Sequence, residues 1–298
     1  VTIREITEDI VYFGGAVFSF YLVRGERPAL LELGISQTAP LVARMLREDL
    51  GVAPSWLTAL HSHYDHAGGA VRLLREFPDA RLACSAPAAR VLALDEPSPG
   101  FVRAMEKVNE NALFATVYPG ADTVVEWRGV AGTHILEPGG VLDTGACSLE
   151  VIHAPGHSPC SLCLFHRGSG ALFVSDACGM PLPSGRIWPT AFDNLEQYLE
   201  TLRRLAALEP EFVCPGHFVF FRGNRARRFL DRSVRATEQF FERIRRLARK
   251  HGPDEAVINR ALAQDYDEDV SFIQDNVLRF GNRCMVRLAL GAGDPGVQ

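Results

Sequence analysis

The chain has 298 residues, 47% of them hydrophobic and 22% charged, enough apolar material for one large α/β domain or a main domain with an appendage, and unlike a disordered segment. A net charge of −5 gives no general attraction to nucleic acid or an anionic membrane, and no run of 18 apolar residues offers a membrane span, so neither is an expected partner. The start VTIREITEDIVYF lacks the zones of a secretory leader, and seven irregularly spaced cysteines suit reduced thiols better than a disulfide framework, so the cytoplasm is the expected compartment.

The stretches DIVYFGG, AVFSFYLV and PALLELG are β-branched or aromatic runs separated by Gly, Arg-Gly and Pro, which predicts a meander of short strands. TAPLVARMLREDL has apolar residues at helical spacing, SWLTALHSH returns to a buried strand, and AVRLLREF after Gly68 and Gly69 opens another helix. Residues 85–122 read as a helical insertion with Phe101, Val102, Met105, Val108 and Leu113 on one side. THILEPGG, SLEVIHAPG, SLCLFHRG and ALFVSDA form a second strand block. A helix at LEQYLETLRRLAAL, a strand at EFVCPGH and a helical tail from about 224 to 290 follow. Two strand blocks with helices between and after them predict two sheets packed face to face and covered outside by helices.

The densest chemistry is HSHYDHAGG, residues 61–69. Imidazoles and carboxylates are costly to bury without a partner, and a metal ion is the obvious one. An extended segment projects alternate side chains to one side, so His61 and His63 reach one metal together while Asp65 and His66 follow round the turn to a second. Downstream, APGHS, VSDA and CPGH each end a predicted strand with a candidate ligand: His157, Asp176 and His217. His153 reads as a buried neighbour of the site or a core histidine, and His134, His166 and His251 as surface or loop residues. Cys160 and Cys163 fall on opposite faces of one strand, which argues against a metal or redox CxxC, and Cys178 reads as a small buried side chain.

This HxHxDH motif, with the later His, Asp and His in the same order, resembles the metallo-β-lactamase superfamily over most of the chain. The resemblance implies an αββα sandwich with a two-metal site at one edge of the sheets: residues 1–223 as that domain, with the insertion at about 85–122, and 224–298 as a helical extension covering the active site. Carried over residue by residue, it implies that His61, His63 and His157 hold the first metal, that Asp65, His66 and His217 hold the second, and that Asp176 bridges them. Nitrogen and oxygen donors suit zinc, iron or manganese without selecting among them. Two divalent cations, two carboxylates and a bridging hydroxide leave about +1, which favours an anionic or carbonyl substrate.

The expected function is therefore hydrolysis of a small acyl thioester, or of a lactone or other ester, by attack of the bridging hydroxide, with Asp65 as proton shuttle. A thiolate departs without a proton donor, and the sequence announces no separate acid, which favours the thioester. The insertion, the phrases PTAFDNLEQYLETLRRL and CPGHFVFFRG, and the helical tail are similar to the quinolone-signal response and glyoxalase II thioesterases of the superfamily. These imply an apolar pocket over the metals, with Trp188, Phe192, Phe218, Phe220 and Phe221 as candidate lining. A metal-holding sensor or regulatory partner protein, with little turnover, is the alternative; a homodimer is compatible with either. Residues 222–250 hold ten Arg and one Lys against three acids, and most of these read as the solvated face of a helix; Arg222 and Arg225 are candidate contacts for a substrate carboxylate or phosphate.

Overall fold

The computed structural model describes residues 2–15, 17–98, 100–111, 114–269 and 275–291. Strands β1 (Thr2–Glu5), β2 (Ile10–Gly14), β3 (Ser19–Val23) and β4 (Ala29–Leu31) make an antiparallel meander. Strands β5 (Trp56–Thr58), β6 (Arg81–Cys84) and β7 (His134–Ile135) continue it in parallel, so the seven strands lie in sequence order. The runs read as continuously apolar because both faces are covered. Ile10, Tyr12, Tyr21, Val23 and Leu31 point into the core between the sheets, while Val11, Phe13, Phe20, Leu22 and Leu30 meet helices on the outside.

Those helices are α1 (Ala39–Arg44), α2 (Tyr64–Ala67), α3 (Ala70–Glu76), α4 (Ala86–Leu92), α5 (Phe101–Val108) and α6 (Phe114–Val117). The single helix expected over TAPLVARMLREDL is instead α1 followed by a π-helical turn, Met45–Asp49. The insertion docks through the predicted stripe: Phe101, Met105 and Val108 are buried and Val102 packs against them; Leu113 lies outside the described residues. Buried Arg72 holds its far end, with a two-pronged ion pair to Asp122 at 2.6 and 2.7 Å.

The second sheet contains β8 (Val141–Asp143), β9 (Ser148–His153), β10 (Leu162–His166) and β11 (Ala171–Ser175). A small hairpin of β12 (Met180–Pro181) and β13 (Ile187–Trp188) and helix α7 (Leu195–Ala206) lead to β14 (Phe212–Pro215) and β15 (Phe221–Arg222). The order is β15-β14-β11-β10-β9-β8, with β11 and β14 parallel and the other pairs antiparallel. The tail forms α8 (Asn224–His251), α9 (Glu255–Ala263) and α10 (Asp275–Leu290). Leu164, Phe173 and Cys214 face the inter-sheet core; Leu172, Val174 and Val213 face Tyr198 and Leu202 of α7, Phe229 and Phe241 of α8 and Met285 of α10. The layers are helix, sheet, sheet, helix, the αββα sandwich expected. Each fully buried Leu or Phe contributes about 1.5–3 kcal/mol, the reserve against which the fold carries a polar cluster at its edge.

All seven cysteines are buried free thiols, and Cys160 and Cys163 belong to different hydrophobic cores. Three histidine expectations are corrected: His153 is exposed at the end of β9, and His134 and His166 are half-buried strand residues rather than loop residues. Among the described residues no helix is long and apolar enough to cross a membrane.

Candidate metal centre

Strands β9, β11 and β14 run in the same direction, so the residues that follow their carboxyl ends, His157, Asp176 and His217, emerge at one edge of the second sheet. The segment after β5 brings His61, His63, Asp65 and His66 to the same edge from the first sheet. The sheets are stitched together there. Tyr12 and Tyr21 donate hydroxyl hydrogen bonds to the carbonyls of Phe218 (3.0 Å) and Pro215 (2.7 Å), and Ser19 N–H donates to the Gly216 carbonyl at 3.0 Å.

The donor atoms converge in three overlapping groups, His61/His63/His157, His61/His66/Asp176 and Asp65/His66/His217, each with its atoms within 4.8 Å of one another. Nε2 of His157 lies 3.2 Å from Nε2 of His61 and 3.0 Å from Nδ1 of His63. Three nitrogens bound tetrahedrally to a metal at about 2.0–2.1 Å stand about 3.3 Å apart, so this spacing fits a shared cation. Burial first, then the neighbouring imidazoles, holds His61 and His63 well below the ordinary histidine value; burial also lowers His157, against the pull of Asp176. Neutral rings with facing lone pairs are the ligand state a metal requires.

The second half of the cluster makes the same case from unpaired atoms. Nε2 of His66 and Nε2 of His217 are buried without a hydrogen-bond partner. They flank Asp176, whose Oδ2 lies 3.5 Å from His66 and whose Oδ1 lies 3.4 Å from His217. Burial works to raise Asp176, yet His66 and His217 hold it well below the usual carboxylate range. Burial lowers and the carboxylates raise His66 and His217, and for both the carboxylates win. Oδ2 of Asp65 is 3.7 Å from both ring nitrogens, and its side chain keeps 17% of its surface exposed. The donor set therefore fits divalent metal, with one carboxylate in the middle of the cluster and a second towards solvent.

Four of the five rings are aimed by their other nitrogen. His157 Nδ1–H donates to the Thr190 carbonyl at 2.7 Å, and the Thr190 hydroxyl contacts the Asp176 carbonyl at 2.7 Å and the Tyr198 hydroxyl at 3.1 Å. His217 Nδ1–H donates to the Val17 carbonyl at 3.2 Å, and His61 Nδ1 meets the Ser175 hydroxyl at 3.2 Å. His66 Nδ1–H donates to Oε2 of Glu32 at 2.6 Å, inside the protein. The sequence reading missed Glu32, Ser175, Thr190 and Tyr198. The one signal for Glu32 was an acid in an otherwise apolar run, PALLELG.

Gly216 is where the loop carrying His217 passes closest. A Cβ there would stand 2.6 Å from His66 Cε1 and 3.1 Å from its Nδ1. Gly216→Ala should therefore tilt His66 off its axis at an overpacking cost of about 1–3 kcal/mol and lower the metal content read by elemental mass spectrometry. A fully loaded alanine protein would contradict this packing.

The candidate lining residues sit at different depths. The Phe192 ring is 5.0 Å from His157, and the Phe218 ring 6.3 Å from His217. Trp188 lies one layer back, 5.8 Å from Phe192, with its Nε1–H donating to Oδ1 of Asn282 on α10 at 2.9 Å. Phe220 packs on Tyr12, and Phe221 stacks on Phe229 at 4.4 Å. Arg222 pairs in register with Phe212, at the opposite end of β14 from His217, and its exposed guanidinium is 3.4 Å from Glu211. Arg225 is exposed on the first turn of α8.

Known proteins resemble this chain over most of its length. The acyl-coenzyme A thioesterase MBLAC2 of Homo sapiens is 28% identical over 239 residues, covering 73% of this chain and 79% of that protein. The hydroxyacylglutathione hydrolase of Aeromonas salmonicida is 29% identical over 208 residues, covering 70% and 60%. The crystal structure of a beta-lactamase domain protein from Burkholderia ambifaria shares the fold, with a TM-score of 0.67 at 16% identity over 97% of this chain and 88% of that one. The model of the metallo-beta-lactamase superfamily matches residues 12–217, more than half of the sequence and a span that holds all seven converging side chains, and the chain belongs to that superfamily.

Proposed function

We propose that the protein is a binuclear metal-dependent hydrolase acting on a small acyl thioester. The observation that carries this reading is the pair of adjoining donor groups joined through Asp176: three facing ring nitrogens on one side, and the unpartnered Nε2 atoms of His66 and His217 with Asp65 on the other. Two divalent ions held there, of zinc, iron or manganese, would supply an activated water and positive charge at the carbonyl oxygen. The protein's own groups do the rest. Asp65, the more exposed carboxylate, takes the water's proton and returns it to solvent or product. Phe192 and Phe218 wall the cluster on two sides, excluding bulk water and offering apolar surface to an acyl group. A thiol leaves as thiolate, its ordinary pKa being about 8.5, so no further acid is needed. The names of the MBLAC2 and hydroxyacylglutathione hydrolase relatives support thioesters ahead of lactones and oxygen esters.

The test is release of free thiol from a panel of acyl thioesters by protein loaded in turn with each metal, beside oxygen esters and lactones of the same acyl groups. Faster turnover of the thioesters is expected. Full metal loading with no turnover of any of the three would refute hydrolysis and leave a metal-holding regulatory protein.

A further inference from the structure

Tyr118 stands just past α6 in the helical insertion, apart from the segments that carry the seven donors, and it is buried. The helix anchors it: its N–H donates to the Phe114 carbonyl at 2.9 Å, and the two rings lie 5.4 Å apart. Its hydroxyl reaches the turn between β2 and β3, where it accepts from the Val17 N–H at 3.0 Å and from the Phe18 N–H at 2.5 Å. The turn lies close on the ring, since a Cβ on Gly15 would stand 2.6 Å from Tyr118 Cε1.

The other side of this turn faces the metal cluster. The Val17 carbonyl accepts from His217 Nδ1–H at 3.2 Å and from the Phe218 N–H at 3.0 Å. With Nδ1 engaged there, the unpartnered Nε2 of His217 is turned towards Asp176 and Asp65, 3.4 and 3.7 Å away. The Phe18 N–H and the Val17 carbonyl belong to one peptide plane, and across a trans bond they point in opposite directions. Tyr118 therefore holds one side of the plane that aims His217 from the other. The plane cannot rotate without leaving a buried N–H unpaired, and an N–H that donates makes its own carbonyl the better acceptor.

We propose that Tyr118 is a positioning residue of the metal centre: through the Val17–Phe18 peptide its hydroxyl fixes the ring of His217, so that the helical insertion secures a ligand from outside both sheets. This rests on the metal reading of the cluster, and it gives the insertion a task apart from covering the site.

The test is Tyr118→Phe, which keeps the ring and removes the oxygen. Gly15→Ala, which pushes the turn off the hydroxyl from the opposite side, serves if the first variant fails to fold. In metal-free protein, exchange of the His217 Nδ1–H with solvent, read by NMR of nitrogen-labelled imidazoles, should quicken about tenfold in either variant. The Nδ1–H groups of His66 and His157, held by Glu32 and Thr190, should exchange as in wild type. In a chelator competition, metal affinity should weaken about tenfold, the lower end of what losing an outer partner of a ligand costs. Exchange that quickens equally at all three histidines would make Tyr118 a general support of the fold and overturn the proposal. Unchanged exchange at His217, or unchanged metal affinity, would overturn it too. Wild-type protein that takes up no metal would refute the metal reading, while a loss of protection confined to His217 would still uphold the link from Tyr118 to that ring.

Discussion

Asp176→Asn is expected to lower bound metal below two ions per chain and to cut turnover by more than about 100-fold, since changes one contact further from a metal already cost 10–100-fold. The carboxylate touches both halves of the cluster: Oδ1 is 3.4 Å from His217, while Oδ2 is 3.5 Å from His66 and 3.7 Å from His157. An amide has nearly the same shape, so the packing around the side chain survives and the loss is one of charge. It removes the anion that most strongly raises both His66 and His217, leaving five imidazoles with Asp65 as the one carboxylate of the donor set. The readouts are the metal-to-protein ratio by elemental mass spectrometry and kcat, with a near-ultraviolet circular dichroism spectrum to show that the fold is kept. An asparagine protein that holds two ions would contradict the bridging position of this side chain.

The parts of the molecule legible from its sequence are those whose signal is local. Strands β2, β3, β10 and β11 are buried on both faces and so appear as unbroken apolar runs. The HxHxDH segment packs four of the donors into six positions, and the other three each close a strand. Less was legible where tertiary contact decides. Strands β12, β13 and β15 have two residues each, too few for any period to show, and they exist because a neighbour completes their ladder; THILEPGG, expected as part of the second strand block, instead gives β7, which closes the first sheet beside β6. The π-helical turn at Met45–Asp49 breaks a stretch whose composition is helical throughout. Thr190 and Tyr198 reach the metal ligands only through His157 and the backbone of Asp176, and nothing in their own surroundings in the sequence marks them. Arg222 follows His217 closely in the chain yet is carried by the β15 hairpin to the far end of β14, which proximity in sequence does not foresee.

Glu32 offers the second large effect and a way to separate function from stability. It sits just past β4 with φ +68°, a left-handed conformation that costs a side-chain-bearing residue about 1–3 kcal/mol. Its carboxylate is buried, one oxygen receiving the His66 proton at 2.6 Å and the other unpaired. A glycine would adopt the same backbone at no steric cost. It would also relieve that backbone strain, but would leave Nδ1 of His66 with no carboxylate to fix the ring. Glu32→Gly should therefore weaken metal binding 10–100-fold in a chelator competition, while the melting temperature of metal-stripped protein stays level or rises. Glu32→Gln should fall between glycine and wild type, because its amide oxygen still accepts from Nδ1–H although the charge is gone. If the glycine protein holds metal as tightly as wild type, His66 is oriented by the Leu33 N–H bond to its own carbonyl (3.0 Å) and its packing against Gly216. A glycine protein that instead melts lower without metal would make Glu32 a structural residue whose carboxylate stabilises the edge of the sheet.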